Sequence, residues 1–276
     1  MKFRPSPLLQ LVRRLARSVD AHGVSGAMVH SSQRLLRSLK SYGLRGTFSR
    51  AFINAPTLND GQEPEPVHPF DIQHGTDTGG YYSSADLQGK TLSIVYTTAY
   101  YGIAPSALAT ALADLNISYH EFTFADLGCG KGRAMIVAAQ FPFRSLWGVE
   151  ISPELCEIAR ANLALRPEWA SRSSIIHEDA ASVTFPQGPL LILMFHPFLA
   201  PLLRRVLANL EAQLRKSPRT TYLLYARNPR YTEVLERFPF LQEISETTYP
   251  LSSEDAAVNR WGPVEQFTLY SAVVTN

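Results

Sequence analysis

The run FADLGCGKGRA, from Phe124 to Ala134, constrains what this chain can fold into more than any other stretch. An apolar segment ends at Asp126, glycines follow at Gly128, Gly130 and Gly132, and helix-forming residues begin at once. Glycine lets the backbone turn through angles other residues resist, and a helix N-terminus offers unpaired N–H groups to a ligand. Strand, glycine turn and helix in succession is how parallel α/β sheets build ligand crevices.

The surrounding rhythm agrees. Apolar runs predict strands at 122–127, 145–149, 173–177, 190–195 and 220–225. Amphipathic patterns predict helices at 133–140, 153–165, 200–214 and 231–237, and Pro105 opens another over 105–115. Strands and helices in alternation imply an α/β fold, a doubly wound parallel sheet covered by helices. Two extended runs, 240–248 and 265–275, then predict an antiparallel hairpin closing one edge, with a loop and no helix between them.

Three ligands compete for the glycine turn. A phosphate loop needs Gly-Lys-Ser/Thr, but Gly130-Lys131 is followed by Gly132. A dinucleotide turn reads G-x-G-x-x-G; here the third glycine comes one residue early, and Asp126 would repel a pyrophosphate. The same carboxylate suits a ligand with a cationic amino acid end, such as S-adenosylmethionine. Glu150, 18 residues beyond Gly132, closes the next strand, where a carboxylate accepts hydrogen bonds from ribose hydroxyls. Asp179, just past the third strand, is placed to accept an adenine amine; Glu178 is the substitute, and His177 reads as a strand-end residue. His196 in MFHPF ends the fourth strand, where a central strand faces the crevice, and is the candidate acid/base. Two roles stay open for it: proton transfer, or satisfying a backbone group. Tyr96, Tyr100 and Tyr101 read as packing residues, and Cys129 as a small side chain with no chemistry.

DLGCGKGR at 126–133, VE at 149–150 and EDA at 178–180 resemble motifs I, II and III of the class I, seven-stranded methyltransferases, over roughly residues 96–275. FDIQHGTDTGG upstream, FPFRSLWGVEISPELCEIARANL and FHPF resemble a bacterial subset of that family. The resemblance implies a mostly parallel sheet in the order 3-2-1-4-5-7-6 with strand 7 antiparallel, and S-adenosylmethionine as methyl donor. It implies that Asp126 and the Gly128, Gly130 and Gly132 turn hold the methionine end, Glu150 the ribose and Asp179 the adenine. MFHPF matches the Asn/Asp-Pro-Pro-Tyr/Phe motif of amino methyltransferases only in part, with His for the carboxamide or carboxylate and one proline in place of two. Transfer of a methyl group from a sulfonium needs no metal, so none is expected.

Charge divides the chain. Residues 1–50 carry ten Lys/Arg against Asp20 alone, and the remainder is net −7. The expected organisation is a basic helical extension at 1–53, with helices at 5–20 and 31–41. A linker and lid segment at 54–95 leads to an S-adenosylmethionine-binding domain at 96–276. The acidic body argues against a nucleic-acid-binding catalytic face, while the basic arm suits an anionic membrane surface or RNA. Only Cys129 and Cys156 occur, too few for a disulfide scaffold, and no apolar run approaches the ~18–20 residues that span a bilayer. A cytoplasmic setting is expected, with a small molecule or protein side chain as methyl acceptor; a non-catalytic binding protein of the same fold is the alternative.

Overall fold

The computed structural model describes residues 67–83, 87, 92–226, 231–259 and 262–274. The expected helices at 5–20 and 31–41 and most of the linker lie outside the described residues. Seven strands, β1 Thr123–Leu127, β2 Ser145–Glu150, β3 Ser173–His177, β4 Leu190–Met194, β5 Thr221–Ala226, β6 Leu241–Pro250 and β7 Val264–Ala272, form one sheet. Their order is β3-β2-β1-β4-β5-β7-β6, with β1 to β5 parallel and β7 antiparallel to both neighbours. This is the fold the family resemblance implies.

Burial follows position in the sheet. Every residue of β1 and β4 is buried, because helices cover both faces of the central strands and continuous apolar runs are what such strands need. The edge strand β6 is mostly exposed and carries Glu243 and Glu246 and a register shift between Glu243 and Ser245, features that blunt pairing with other chains.

The described helices are α1 Pro69–His74, α2 Pro105–Ala113, α3 Arg133–Ala138, α4 Pro153–Ala164, α5 Pro167–Ala170, α6 Ala200–Lys216, α7 Thr232–Glu236 and α8 Ser253–Val258. In α6, Leu202, Leu203, Val206, Leu207, Leu210 and Leu214 recur at helical spacing and are all buried, each contributing about 1.5–3 kcal/mol. At α4, the Ser152 hydroxyl accepts from the Leu155 N–H and Pro153 occupies the first turn, so the helix starts where the sequence places it. α8 corrects the expected loop between the last two strands. Its signal was local: Ser252 caps the Asp255 N–H at 3.1 Å, and Glu254 and Asp255 lie in the first turn.

Side chains alternate across the sheet, which gives two cores. Phe124, Leu191, Leu193 and Phe267 pack on the face with α2 and α3; Leu127, Ile192, Leu223 and Tyr270 pack on the face with α6. β1 and β4 are neighbours, although β1 also borders β2 on its other side. The chain therefore leaves β1 in opposite directions, and a crevice opens between the carboxyl ends of β1 and β4. Among the described residues, no helix is long and apolar enough to cross a membrane.

Candidate functional site

The glycine turn lies at the mouth of that crevice. After β1, the Gly128 and Cys129 N–H groups both donate to the Val149 carbonyl, at 2.8 and 3.0 Å, tying the turn to β2. Gly128 and Gly130 have φ of 81° and 53°. A Cβ on Gly128 would come within 2.5 Å of the Pro197 side chain, and one on Gly130 within 2.1 Å of the Tyr100 ring. Both positions demand glycine twice over, by conformation and by space. Gly132, the third of the set, is the residue before α3.

Asp126, Gly128, Glu150 and Asp179 line one crevice of about 820 Å³ (open solvent included), together with Tyr101, Arg133, Phe195 and Pro197. Asp126 is 3% exposed and its carboxyl accepts no hydrogen bond among the described residues. Burial pushes its pKa up to about 8, and the neighbouring Glu150 adds to the shift. Glu150 is also buried and its pKa is raised by burial, opposed by backbone N–H groups that favour the charged form. Its Oε2 accepts from Gly130 N–H at 3.0 Å and its Oε1 from Ser152 N–H at 2.9 Å. Each oxygen keeps an acceptor site, because a carboxylate has about four. Asp179 is 8% exposed while Glu178 is exposed. The Ser93 hydroxyl donates to Asp179 Oδ2 at 2.5 Å, and Arg205 stands 3.8 Å from the same oxygen. The Ala181 N–H occupies Oδ1.

His196 stands apart from this set. Its neighbours Phe195 and Pro197 line the crevice, but its own side chain does not. Its φ is 50°, a strained angle for a residue with a Cβ, and its carbonyl accepts from the Thr98 hydroxyl at 2.5 Å. Burial lowers its pKa to about 4, so the ring is neutral at pH 7, and its Nδ1 has no partner among the described residues. His177 is an exposed strand-end residue whose Nε2 is 3.1 Å from the Ile151 carbonyl. Cys129 and Cys156 are free and buried, and burial pushes both thiols up. Tyr100 packs on Gly130 and donates to the Thr78 carbonyl at 2.7 Å, as a packing residue should.

A second group was not anticipated from the sequence. Arg133, at the start of α3, is 5% exposed; its Nε donates to Thr78 Oγ1 at 2.7 Å and its Nη2 lies 3.5 Å from Asp71. Asp71 also accepts from the Thr76 hydroxyl, and from both the N–H and hydroxyl of Thr78. Lys131 reaches Asp77 at 2.7 Å and the Gly79 carbonyl at 2.9 Å, and the Asn162 amide donates to the Asp77 and Lys131 carbonyls. The stretch GTDTGG, inside the expected lid segment at 54–95, is thereby fastened across the glycine turn.

Residues 124–217 match a family model described as a methyltransferase domain. No curated protein matches the chain. Among solved structures it is similar to magnesium protoporphyrin IX methyltransferase from Synechocystis PCC 6803 with bound SAM, at 15% identity and a TM-score of 0.44, covering 61% of this chain and 77% of that one. It is also similar to a glycopeptide N-methyltransferase complexed with S-adenosyl-L-homocysteine, at 13% identity and a TM-score of 0.47, covering 62% and 91%. A ribosomal protein L11 methylase from Lactobacillus delbrueckii subsp. bulgaricus is similar at 17% identity and a TM-score of 0.40, covering 59% and 76%.

Proposed function

We propose that this chain, a class I methyltransferase by its matched domain and strand order, moves a methyl group from S-adenosylmethionine to a small molecule or a protein side chain. The observation that carries the reading is Asp126: a buried carboxyl with no donor among the described residues, lining a crevice beside a glycine turn. An isolated buried carboxylate is costly and calls for a cationic partner. The ammonium of S-adenosylmethionine is one, and its arrival would lower the pKa of Asp126 and leave it ionised.

The remaining residues fit the other parts of that molecule. Gly128 and Gly130 leave room for close approach to the backbone, Glu150 keeps acceptor sites for ribose hydroxyls, and buried Asp179 lines the crevice at the end of β3, where an adenine amine would meet an acceptor. S-adenosylmethionine supplies an activated methyl carbon when bound. The protein must hold the acceptor in line at ~3–3.5 Å from it and keep water out. Phe195, Pro197 and Tyr101 form an apolar wall suited to the second task. His196 is assigned a positioning role through its carbonyl, which fixes Thr98 and with it the strand-like stretch paired to Phe198. A ring with a pKa near 4 is a weak base at neutral pH.

The test is transfer of a radiolabelled methyl group from S-adenosylmethionine into fractionated cell extract, compared between wild type, Asp126→Asn and Glu150→Gln. Label entering an acceptor with the wild type alone supports the reading. No label in protein or small-molecule fractions, at saturating donor, counts against catalysis.

A further inference from the structure

Asp126, Glu150 and Asp179 line the crevice and all three are buried, so a molecule as large as S-adenosylmethionine reaches them only when part of the wall gives way. The sheet is the fixed part of that wall. Leu87 and Leu155 line the same crevice, and with Ile94 and Val95 they form a small apolar cluster separate from the two main cores. Ile94 and Val95 belong to a single turn of 3-10 helix, Leu92–Tyr96. Its far end is pinned: the Tyr96 carbonyl accepts from Leu199 N–H at 2.8 Å, and Thr98 N–H donates to the Pro197 carbonyl at 3.2 Å. A segment held at one end and packed in its own small cluster opens at lower cost than the cores do.

The other fastening of this segment lands on the site itself. Ser93 is buried, and its hydroxyl donates to Asp179 Oδ2 at 2.5 Å while accepting from Arg205 Nη1 at 2.8 Å. A hydroxyl has one hydrogen, so the bond from Arg205 fills the Ser93 oxygen and leaves that hydrogen to Asp179. Arg205 also stands 3.8 Å from Oδ2, and the Ala181 N–H holds Oδ1 at 3.0 Å. The carboxylate that an adenine amine would use is therefore already engaged, on Oδ2 by the covering segment.

We propose that Ser93 and the adenine amine occupy Asp179 in turn: Ser93 latches the Leu92–Tyr96 segment over the crevice, and the amine takes the place of its hydroxyl on Oδ2. The proposal rests on the donor reading above. The exchange trades one hydrogen bond to a carboxylate for another, so the segment opens and recloses at small net cost. It also sets affinity. The latched form does not accept the donor, so apparent affinity falls by the fraction of molecules that are latched. Ser93 thereby weakens binding of the adenosine group, which favours release of S-adenosylhomocysteine after transfer.

The test uses the full chain, titrated by calorimetry with S-adenosylhomocysteine and with its 6-deamino analogue, in which hydrogen replaces the adenine amine. Ser93→Ala should bind S-adenosylhomocysteine about fivefold more tightly than wild type, as expected when one competing hydrogen bond is removed, while its own melting temperature falls. A hydroxyl that merely supported the site would lower affinity and stability together. Ser93→Cys, similar in size and a weaker donor, should shift affinity in the same direction as Ser93→Ala. In an Asp179→Ala background, Ser93→Ala should change affinity by no more than about twofold, because the latch has lost its other half. Asp179→Ala should also erase the wild-type preference for S-adenosylhomocysteine over the analogue. Unchanged or weakened binding in the Ser93 variants, an undiminished gain in the Asp179→Ala background, or no wild-type preference for the amine would each overturn the proposal. No binding of S-adenosylhomocysteine to wild type would overturn the donor reading itself.

Discussion

At the scale of single residues, Asp126 sets the electrostatics of the site. Its folded pKa of about 8 lies above the ordinary 3.8, so its contribution to stability is fully present below about pH 4 and is lost as pH rises through 8. The ligand-free protein should therefore melt at a lower temperature at pH 9 than at pH 5 on account of this group, and Asp126→Asn should narrow that gap, as read by calorimetric scans of both proteins. Donor binding near pH 7 should also release up to one proton from Asp126, measured as a dependence of the binding enthalpy on buffer ionisation. Uptake of a proton, or unchanged behaviour in Asp126→Asn, would contradict the assignment. For His196, a pKa near 4 predicts that the rate shows no limb at the ordinary histidine value of 6.5 arising from this ring. His196→Ala should leave S-adenosylhomocysteine affinity within about twofold. A limb near 6.5 that disappears in His196→Ala would restore the proton-transfer role.

At the scale of elements, the glycine turn and the stretch pinned above it act together. A Gly130→Ala substitution forces a Cβ into the Tyr100 ring at an angle L residues resist, so it should lower both the melting temperature and donor affinity. Removing the ion-pair partner of buried Arg133 with Asp71→Ala should destabilise the fold by roughly 3–5 kcal/mol, because a charge is left without compensation. A loss of unfolding free energy of well under 1 kcal/mol by chemical denaturation would show that the stretch is held by other means. These elements differ in how much of them the sequence disclosed. Asp126 and Glu150 were legible because each ends a strand next to the glycine turn, so local order alone places them. Asp71 was not. It reaches Arg133 through packing between segments far apart in the chain, and no spacing rule encodes that. α8 was legible in its cap at Ser252 but was passed over as loop.

At the scale of the whole molecule, the sheet order is implied by motifs that resemble those of a known family, whereas alternation of strands and helices establishes only its parallel α/β character. Residues 1–53 are basic in sequence and the remainder is net acidic. We propose that deleting them leaves a folded, donor-binding domain and removes most salt-sensitive affinity for anionic vesicles or RNA, since nine net positive charges go with them. Circular dichroism and vesicle cosedimentation at two salt concentrations check this, and loss of tertiary structure in the truncated chain would return those residues to the core. The central claim, that the crevice around Asp126 and Glu150 holds S-adenosylmethionine, is tested most directly by calorimetric titration of S-adenosylmethionine into the wild-type chain and the Asp126→Asn and Glu150→Gln variants. The account predicts one site per chain in the wild type, weakened in each variant by roughly 1.5–3 kcal/mol, or about 10- to 100-fold. No binding to wild type, or wild-type affinity in both variants, would contradict it.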